Sequence, residues 1–327
     1  MAIMELFNTL GVTIDMAVEA HELLRGEAGV EIPGVKVVKD KKENYEITKV
    51  EILNEQGAAH LQKPIGNYIT IDAPVLRSQN KSVQKEIILA LANILKTMVP
   101  VNNEQPILIV GLGNWHATPD ALGPKVVDYI FVTRHLFNLK HETLTKGFKN
   151  VAAISPGVLG ITGIETVEII QGVVEKINPS FIIAVDALAA AKVERICASI
   201  QIADTGINPG SGIGNQRPGL NREVLGIPVI AVGCPTVVNA AIIAKNTLEM
   251  FLEKFSSSKQ FYQFLKAKQA GIITLVREVL EPFSNNLTVT PKEIDFLLLN
   301  LAKVIAGGIT MALHENVQPE NVEMYLN

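Results

Sequence analysis

Pro106-Ile-Leu-Ile-Val-Gly-Leu-Gly-Asn-Trp-His-Ala-Thr-Pro-Asp120 is the stretch on which the fold turns. Its apolar run, Ile107 to Val110, has the length and composition of a strand buried on both faces. Gly111-Leu-Gly113-Asn114 breaks the run with a tight turn, and Asp120 stands a short way beyond it. A second segment repeats the plan: Phe181-Ile-Ile-Ala-Val185, followed at once by Asp186. Open α/β sheets gather their reacting groups at the carboxyl ends of such strands. The two aspartates are therefore expected at one edge of a mostly parallel sheet with helices on both faces, an α/β/α sandwich.

Outward from these strands, the pattern repeats. Residues 82–98 carry apolar side chains at helical spacing (Val83, Ile87, Leu91, Ile94, Leu95, Met98) and predict an amphipathic helix leading into Pro106. Residues 121–137 read as helix, Val151–Ile154 as a brief strand, and Ile164–Ile177 as a helix with acidic residues at its start. After Asp186, Ala187–Glu194 reads as a helix or helical turn and Ile196–Ile202 as a strand. Val229–Val232 is expected to end in a loop, Gly233-Cys-Pro-Thr236, before a helix to about Phe255. Upstream, Tyr45–Leu53 and Asn67–Asp72 alternate as strands do, and Val35–Lys42 fits a charged edge strand or turn. The tail is helical, and Gly307-Gly308 within it suggests close packing.

Composition sets the outer limits. The chain has 327 residues, 48% of them hydrophobic, enough for one large α/β core. A net charge of −4 gives no bulk attraction for nucleic acid. Its apolar runs fall short of the roughly 20 residues of a membrane span, and the start of the chain lacks a basic leader and a cleavage signal. Two cysteines, Cys197 and Cys234, in apolar surroundings suit a reducing compartment. The expectation is a cytoplasmic enzyme without direct nucleic-acid or membrane partners.

Several motifs fail on inspection. Gly111-Leu-Gly113 is followed by His116 where a dinucleotide fingerprint needs glycine, and no glycine loop continues into Lys-Ser/Thr. His21-Glu22 lacks the second histidine of a zinc-protease helix, and the histidines show no ligand spacing, so neither metal nor cofactor is expected. Asn208-Pro-Gly-Ser-Gly212 is not a nucleophile elbow. Its backbone at Gly210, Ser211 and Gly212, with Gly113, Asn114 and Gly157 in the other glycine loops, could still line a groove or hold an oxyanion. A surface loop is as good a reading. Asp204-Thr-Gly206 fits a turn or cap.

The aspartates carry more. Two neighbouring carboxyls resist ionising together, so one keeps a proton as an acid while the other serves as a base. Such a pair can activate water against a peptide carbonyl. The bland alternative for each is a helix N-cap.

At this point longer stretches become recognisable. Gly111-Leu-Gly-Asn-Trp115, Thr118-Pro-Asp-Ala-Leu-Gly-Pro124, Ser155-Pro-Gly-Val-Leu-Gly-Ile-Thr-Gly-Ile-Glu-Thr166, Val185-Asp-Ala-Leu-Ala-Ala190, Ile200-Gln-Ile-Ala-Asp-Thr-Gly206 and Pro209-Gly-Ser-Gly212 resemble the germination proteases of spore-forming Firmicutes. The likeness runs from about Asp15 to the tail. It implies an endopeptidase of the forespore or spore core that degrades small acid-soluble spore proteins during germination. It further implies an atypical aspartic mechanism on Asp120 and Asp186, a homotetramer, and a fold similar to hydrogenase-maturation proteases. Members are zymogens that remove their own propeptide. Thr13-Ile-Asp15-Met16-Ala-Val-Glu-Ala20 matches the processing motif, which assigns residues 1–15 to the propeptide, 16–327 to a single protease domain, and the cut to Asp15–Met16. The family's substrates share an acidic residue before a large apolar one, then a small residue and Glu. Two departures stand out: Ala190-Ala-Lys192 where Ala-Arg-Ser is usual, and Asn239 in place of Asp. The rival readings are a metal-sensing protease of the hydrogenase-maturation type and a non-catalytic module that binds spore proteins.

Overall fold

In the computed structural model, the described residues are 14–25, 31–78, 80–99, 105–139, 142–207, 219–254, scattered positions from 263 to 283, and 286–326. Among the described residues nine strands form one sheet: β1 (Val35–Lys41), β2 (Glu46–Ile52), β3 (Gly66–Asp72), β4 (Ile107–Gly111), β5 (Val151–Ile154), β6 (Phe181–Ala190), β7 (Ser199–Ala203), β8 (Val229–Asn239) and β9 (Thr288–Val289). Their order is β1-β2-β3-β7-β8-β6-β4-β5, with β9 pairing β8. The core strands β8, β6, β4 and β5 run parallel, as expected, while β7, β3, β2 and β1 extend the sheet antiparallel.

Helices cover both faces. Against one lie α3 (Lys81–Met98), α4 (Leu122–Tyr129) and α7 (Ile294–Leu313), with the start of α6 (Ala240–Lys254). They bury Ile107, Ile109, Phe181, Ile183, Val185 and Val232, the side chains of one strand parity. The opposite parity splits in two. Leu108, Val110, Ile182 and Ala184 pack under α5 (Thr166–Ile177). Leu188, Ala203, Ala231 and Tyr68 pack under α1 (Ala17–Arg25) and Leu61 of α2 (Glu55–Leu61). Asp186 shares the side-chain parity of Ala184 and Leu188, so it stands on that face where the two clusters meet.

Helix α7 is the one helix among the described residues long and apolar enough to cross a membrane. Its length is used inside the protein, where 67% of its most apolar window is buried against neighbouring elements. The Gly307-Gly308 pair is why α3 can come so close: a Cβ on Gly308 would stand 2.6 Å from Leu91 Cδ2.

Three expectations change. Ala187–Ala190 is strand, not helix, and Gly233–Thr236 continues β8 instead of forming a loop. The two stretches hold each other: Asp186 pairs with Gly233, Ala187 with Cys234 and Leu188 with Pro235. The register then shifts so that Ala189 meets Val237, leaving Thr236 as the extra residue of a bulge. A bulge is one of the few places inside a sheet that tolerates proline. The helix expected over 121–137 is interrupted, ending as α4 at Tyr129 before a short turn of helix at Arg134–Asn138.

Candidate active site

Close backbone contact after β4 builds the site. Gly111 lies so near α4 that a Cβ there would stand 2.2 Å from the Gly123 carbonyl oxygen. A Cβ on Gly123 would in turn meet Leu112 O at 2.2 Å and Val185 O at 2.6 Å. Gly113 adopts φ +115°, with the Asp120 carbonyl oxygen where its Cβ would be. The glycines thus serve backbone packing, not a nucleotide. They fold the loop back on itself, with Asn114 N–H donating to Asp120 O (3.1 Å) and Asp120 N–H to Ala117 O (2.7 Å). Asp120 closes a short 3-10 turn, Thr118–Asp120, and Ala121 rather than Asp120 occupies the N-cap of α4. The N-cap alternative therefore fails for Asp120. It fails for Asp186 too, which is in mid-strand.

Asp186 is buried, and its carboxyl is held well above the usual carboxylate range. Burial is the main cause. The charges of Asp120 and then Asp15 push the same way, against a 2.8 Å hydrogen bond that Ala187 N–H donates to Asp186 Oδ1. Asp120 and Asp15 are thus each within electrostatic reach of Asp186.

Asp15 and its successors are fixed by strand residues. Ala189 N–H donates to Asp15 Oδ2 (2.8 Å), and Ala191 N–H to Glu19 Oε2 (2.8 Å). Gln201 spans the Asp15–Met16 link. Its Nε2 donates to Asp15 O (3.5 Å) and its Oε1 accepts from Ala17 N–H (2.7 Å). Met16, Ala17, Val18 and Ala20 are buried beneath the sheet face. Arg195 lies 3.5 Å from Glu19 and donates to both oxygens of Glu22 (3.0 Å each) and of Asp72 (3.1 and 3.3 Å). Burial raises Glu19 to about 7 despite the Ala191 N–H and Arg195. Burial would raise Glu22 as well, but hydrogen bonds from Arg195 and Lys192 outweigh it and bring Glu22 down to about 2.

Beside Asp15 opens a cavity of about 220 Å³ lined by Lys63, Tyr68, Gln201, Thr205 and Gly233, among others. Burial lowers the Lys63 ammonium, partly offset by Asp15 and Glu19.

The expected site residues divide accordingly. Asp120, Asp186, Gly113, Asp15 and Met16 belong to this region. The Asn114 side chain serves its own turn, accepting from His116 N–H (2.9 Å). Gly157 (φ +77°) accepts through its carbonyl oxygen from Thr166 Oγ1 (3.3 Å). Gly210, Ser211 and Gly212 lie outside the described residues. Asp204 has the expected turn role, accepting from the backbone and side chain of Asn67. Asn239 caps the start of α6 by accepting from Ala241 N–H (2.8 Å), a task aspartate performs equally well. Both cysteines are buried and free, and burial pushes Cys197 up to about 12. Among the described residues no group of three or more His, Cys, Asp or Glu could hold a metal. Sequence reasoning missed Gln201, Lys63 and Arg195. The one available signal was Gln201, a lone amide in the apolar strand Ser199-Ile-Gln-Ile-Ala203.

Comparison with known proteins bears on the whole chain. Residues 13–269 and 265–326 match the family model described as germination protease. The germination protease of Caldanaerobacter subterraneus subsp. tengcongensis is 45% identical over 97% of this chain and 99% of that protein. That of Clostridium tetani is 43% identical over 97% and 100%. The germination protease of Bacillus cereus AH187 is 42% identical over 96% of each. Among solved structures, a NiFe hydrogenase maturation protease from Thermococcus kodakarensis KOD1 aligns with 44% of this chain and 80% of its own, at 21% identity and a TM-score of 0.29.

Proposed function

The chain belongs to the germination protease family and is a peptidase of spore germination; from that premise we propose an aspartic-type endopeptidase of small acid-soluble spore proteins. The carrying observation is the buried carboxyl of Asp186, raised by burial and by Asp120 beside it. In this reading Asp186, its carboxyl held above the usual range, is the partner that carries the proton, and Asp120 serves as the base. Asp120 takes a proton from water, whose oxygen attacks the scissile carbonyl carbon. Asp186 then gives its proton to the departing amine as the carbon–nitrogen bond breaks, and proton exchange with water resets the pair. Gln201 Nε2 supports the developing oxyanion. Its contact with the Asp15 carbonyl is long in the ground state and is expected to shorten as charge builds on that oxygen.

Self-processing fits the same reading. Asp15 is near enough to Asp186 to raise its pKa, and Gln201 brackets the Asp15–Met16 bond. We take residues 1–15 as a propeptide and the active particle as a homotetramer of the spore core, the latter on the family resemblance alone.

The test is direct. The purified chain is incubated with a small acid-soluble spore protein, with and without excess chelator, beside Asp120→Asn and Asp186→Asn. Fragments from the parent chain in chelator, with no fragments and no self-cut from either variant, support the reading. Near-normal cutting by either variant removes that residue from the mechanism, and activity lost in chelator favours the metal-sensing alternative.

A further inference from the structure

Where the first turns of α3, the end of α4, the middle of α7 and the turn Val322–Tyr325 meet, there is a further cavity of about 320 Å³. Lys81, Lys85 and Lys303 line it, against a single acid, Glu323. Glu323 stands 3.7 Å from Lys81, and both side chains are exposed, so water screens that pair. Lys85 is half-buried, and neither it nor Lys303 has a carboxylate partner among the described residues. The Lys303 ammonium lies 5.3 Å from the centre of the Tyr129 ring, which attracts a cation without neutralising it. Two positive charges are thus uncompensated. Of the lining amides, Gln84 Nε2 donates to Ser78 O (3.3 Å), whereas Asn300 Nδ2 is buried without a hydrogen-bond partner.

We propose that this cavity is a binding site for a phosphate group, held by Lys85 and Lys303 with Lys81 at the rim. The charge count selects the ligand. A chloride or a single carboxylate would answer one ammonium and leave the other, whereas a phosphate dianion answers both. Its several oxygens also offer the acceptor that the Asn300 amide lacks. Lysine serves such a group as a point charge. The positive end of the 18-residue helix α3 lies behind the site and favours the same sign of ligand. Its backbone does not take part, because Ser82 and Val83 N–H already donate to Asn80 Oδ1 (3.1 and 3.3 Å). Recognition therefore falls to side chains. The space is about ten times the ~30 Å³ share of one water, and Ile88 and Val304 give it an apolar wall. It has room for the phosphate alone or for the head and short carbon body of a small phosphate monoester. The site is separate from the candidate cleft: Asp120 precedes the start of α4, and Tyr129 ends that helix about 10 Å beyond Leu122. Nothing in the inference depends on the chain's being a protease.

The test is a calorimetric titration of the full chain with inorganic phosphate, at ionic strength held constant with sodium chloride. It runs to about 20 mM phosphate, enough to saturate a site of millimolar Kd. One saturable site per chain is expected. Lys85→Gln and Lys303→Gln should each weaken it about tenfold, the worth of a hydrogen bond to a charged group. Lys176→Gln, an exposed lysine of α5 across the sheet, should leave it unchanged. Melting in chloride alone shows whether the variants fold, and should Lys85→Gln melt early, the exposed Lys303→Gln decides by itself. Glycerol 3-phosphate titrated in the same way assigns the source. Binding tighter than that of inorganic phosphate makes the occupant a monoester, weaker binding makes it the free ion, and dependence on Lys85 and Lys303 supports the site in either case. No saturable heat with either probe overturns the proposal. So does binding that Lys176→Gln weakens as much as Lys303→Gln, which would show a diffuse attraction to surface charge.

Discussion

A single proton on Asp186 links stability to chemistry. Its folded-state pKa is raised above the usual 3.8, mainly by burial, so between 3.8 and the folded value the native chain keeps a proton that the unfolded chain has lost. Stability therefore falls as pH rises through that window. Asp186→Asn should remove the slope, raising Tm at pH 7 relative to wild type while abolishing cleavage, as thermal melts at pH 4 and pH 7 would show. An unchanged difference between those two melts would contradict the assignment of a buried, neutral carboxyl. Gln201→Ala should lower kcat for peptide cleavage about 100-fold with a smaller change in KM, the range for loss of one oxyanion donor. The aspartates were legible because acidic residues after buried apolar runs are conspicuous. Gln201 was not, because its partner is a backbone segment nearly two hundred positions upstream, which no local pattern encodes.

Element boundaries obeyed a different logic. The runs Ile107–Val110 and Phe181–Val185 declared themselves by continuous hydrophobicity. Ala187–Ala190 and Gly233–Thr236 did not, since alanines read as helix formers and Gly-Cys-Pro-Thr as loop punctuation. Pairing across nine consecutive residues of β6 with β8 overrode both local preferences, and the bulge at Thr236 absorbed the proline. The glycines after β4 were legible as a turn but not as a close-packing device, which depends on where α4 and β6 come to rest. Gly123→Ala places a methyl group against two backbone carbonyl oxygens. It should cost about 1–3 kcal/mol by overpacking and depress kcat, because the same loop carries Asp120. A denaturant midpoint and a peptide assay on one preparation would measure both, and a neutral result on both counts would refute the packing role.

Across the whole molecule, opposing titrations shape acid stability. His314 is buried with Phe131 and Phe148 edge-on at 5.5 Å and accepts from Lys149 N–H (3.1 Å). Burial lowers it from 6.5 to about 4. The folded imidazole stays neutral where the unfolded one is charged, so stability is lost as pH falls from 6.5 to 4. Glu19, raised from 4.5 to about 7, acts in reverse and loses stability as pH rises through that interval. His314→Phe should therefore leave a variant whose stability declines steadily from pH 4.5 to 7, measurable by urea unfolding at several pH values. A stability profile parallel to that of wild type would show that His314 titrates normally.

Strand β6 runs on past β4, with which its pairing ends at Val185, and that overhang has a consequence. A bare strand edge is a template for intermolecular strand addition, which folded proteins usually blunt. Here the blunting is done by the N-terminal segment itself, through Asp15 and Glu19. Were a cut at Asp15–Met16 to carry Asp15 away, Ala189 N–H would be uncovered while Glu19 still held Ala191 N–H, so a single backbone donor rather than the whole edge would be opened to strand addition.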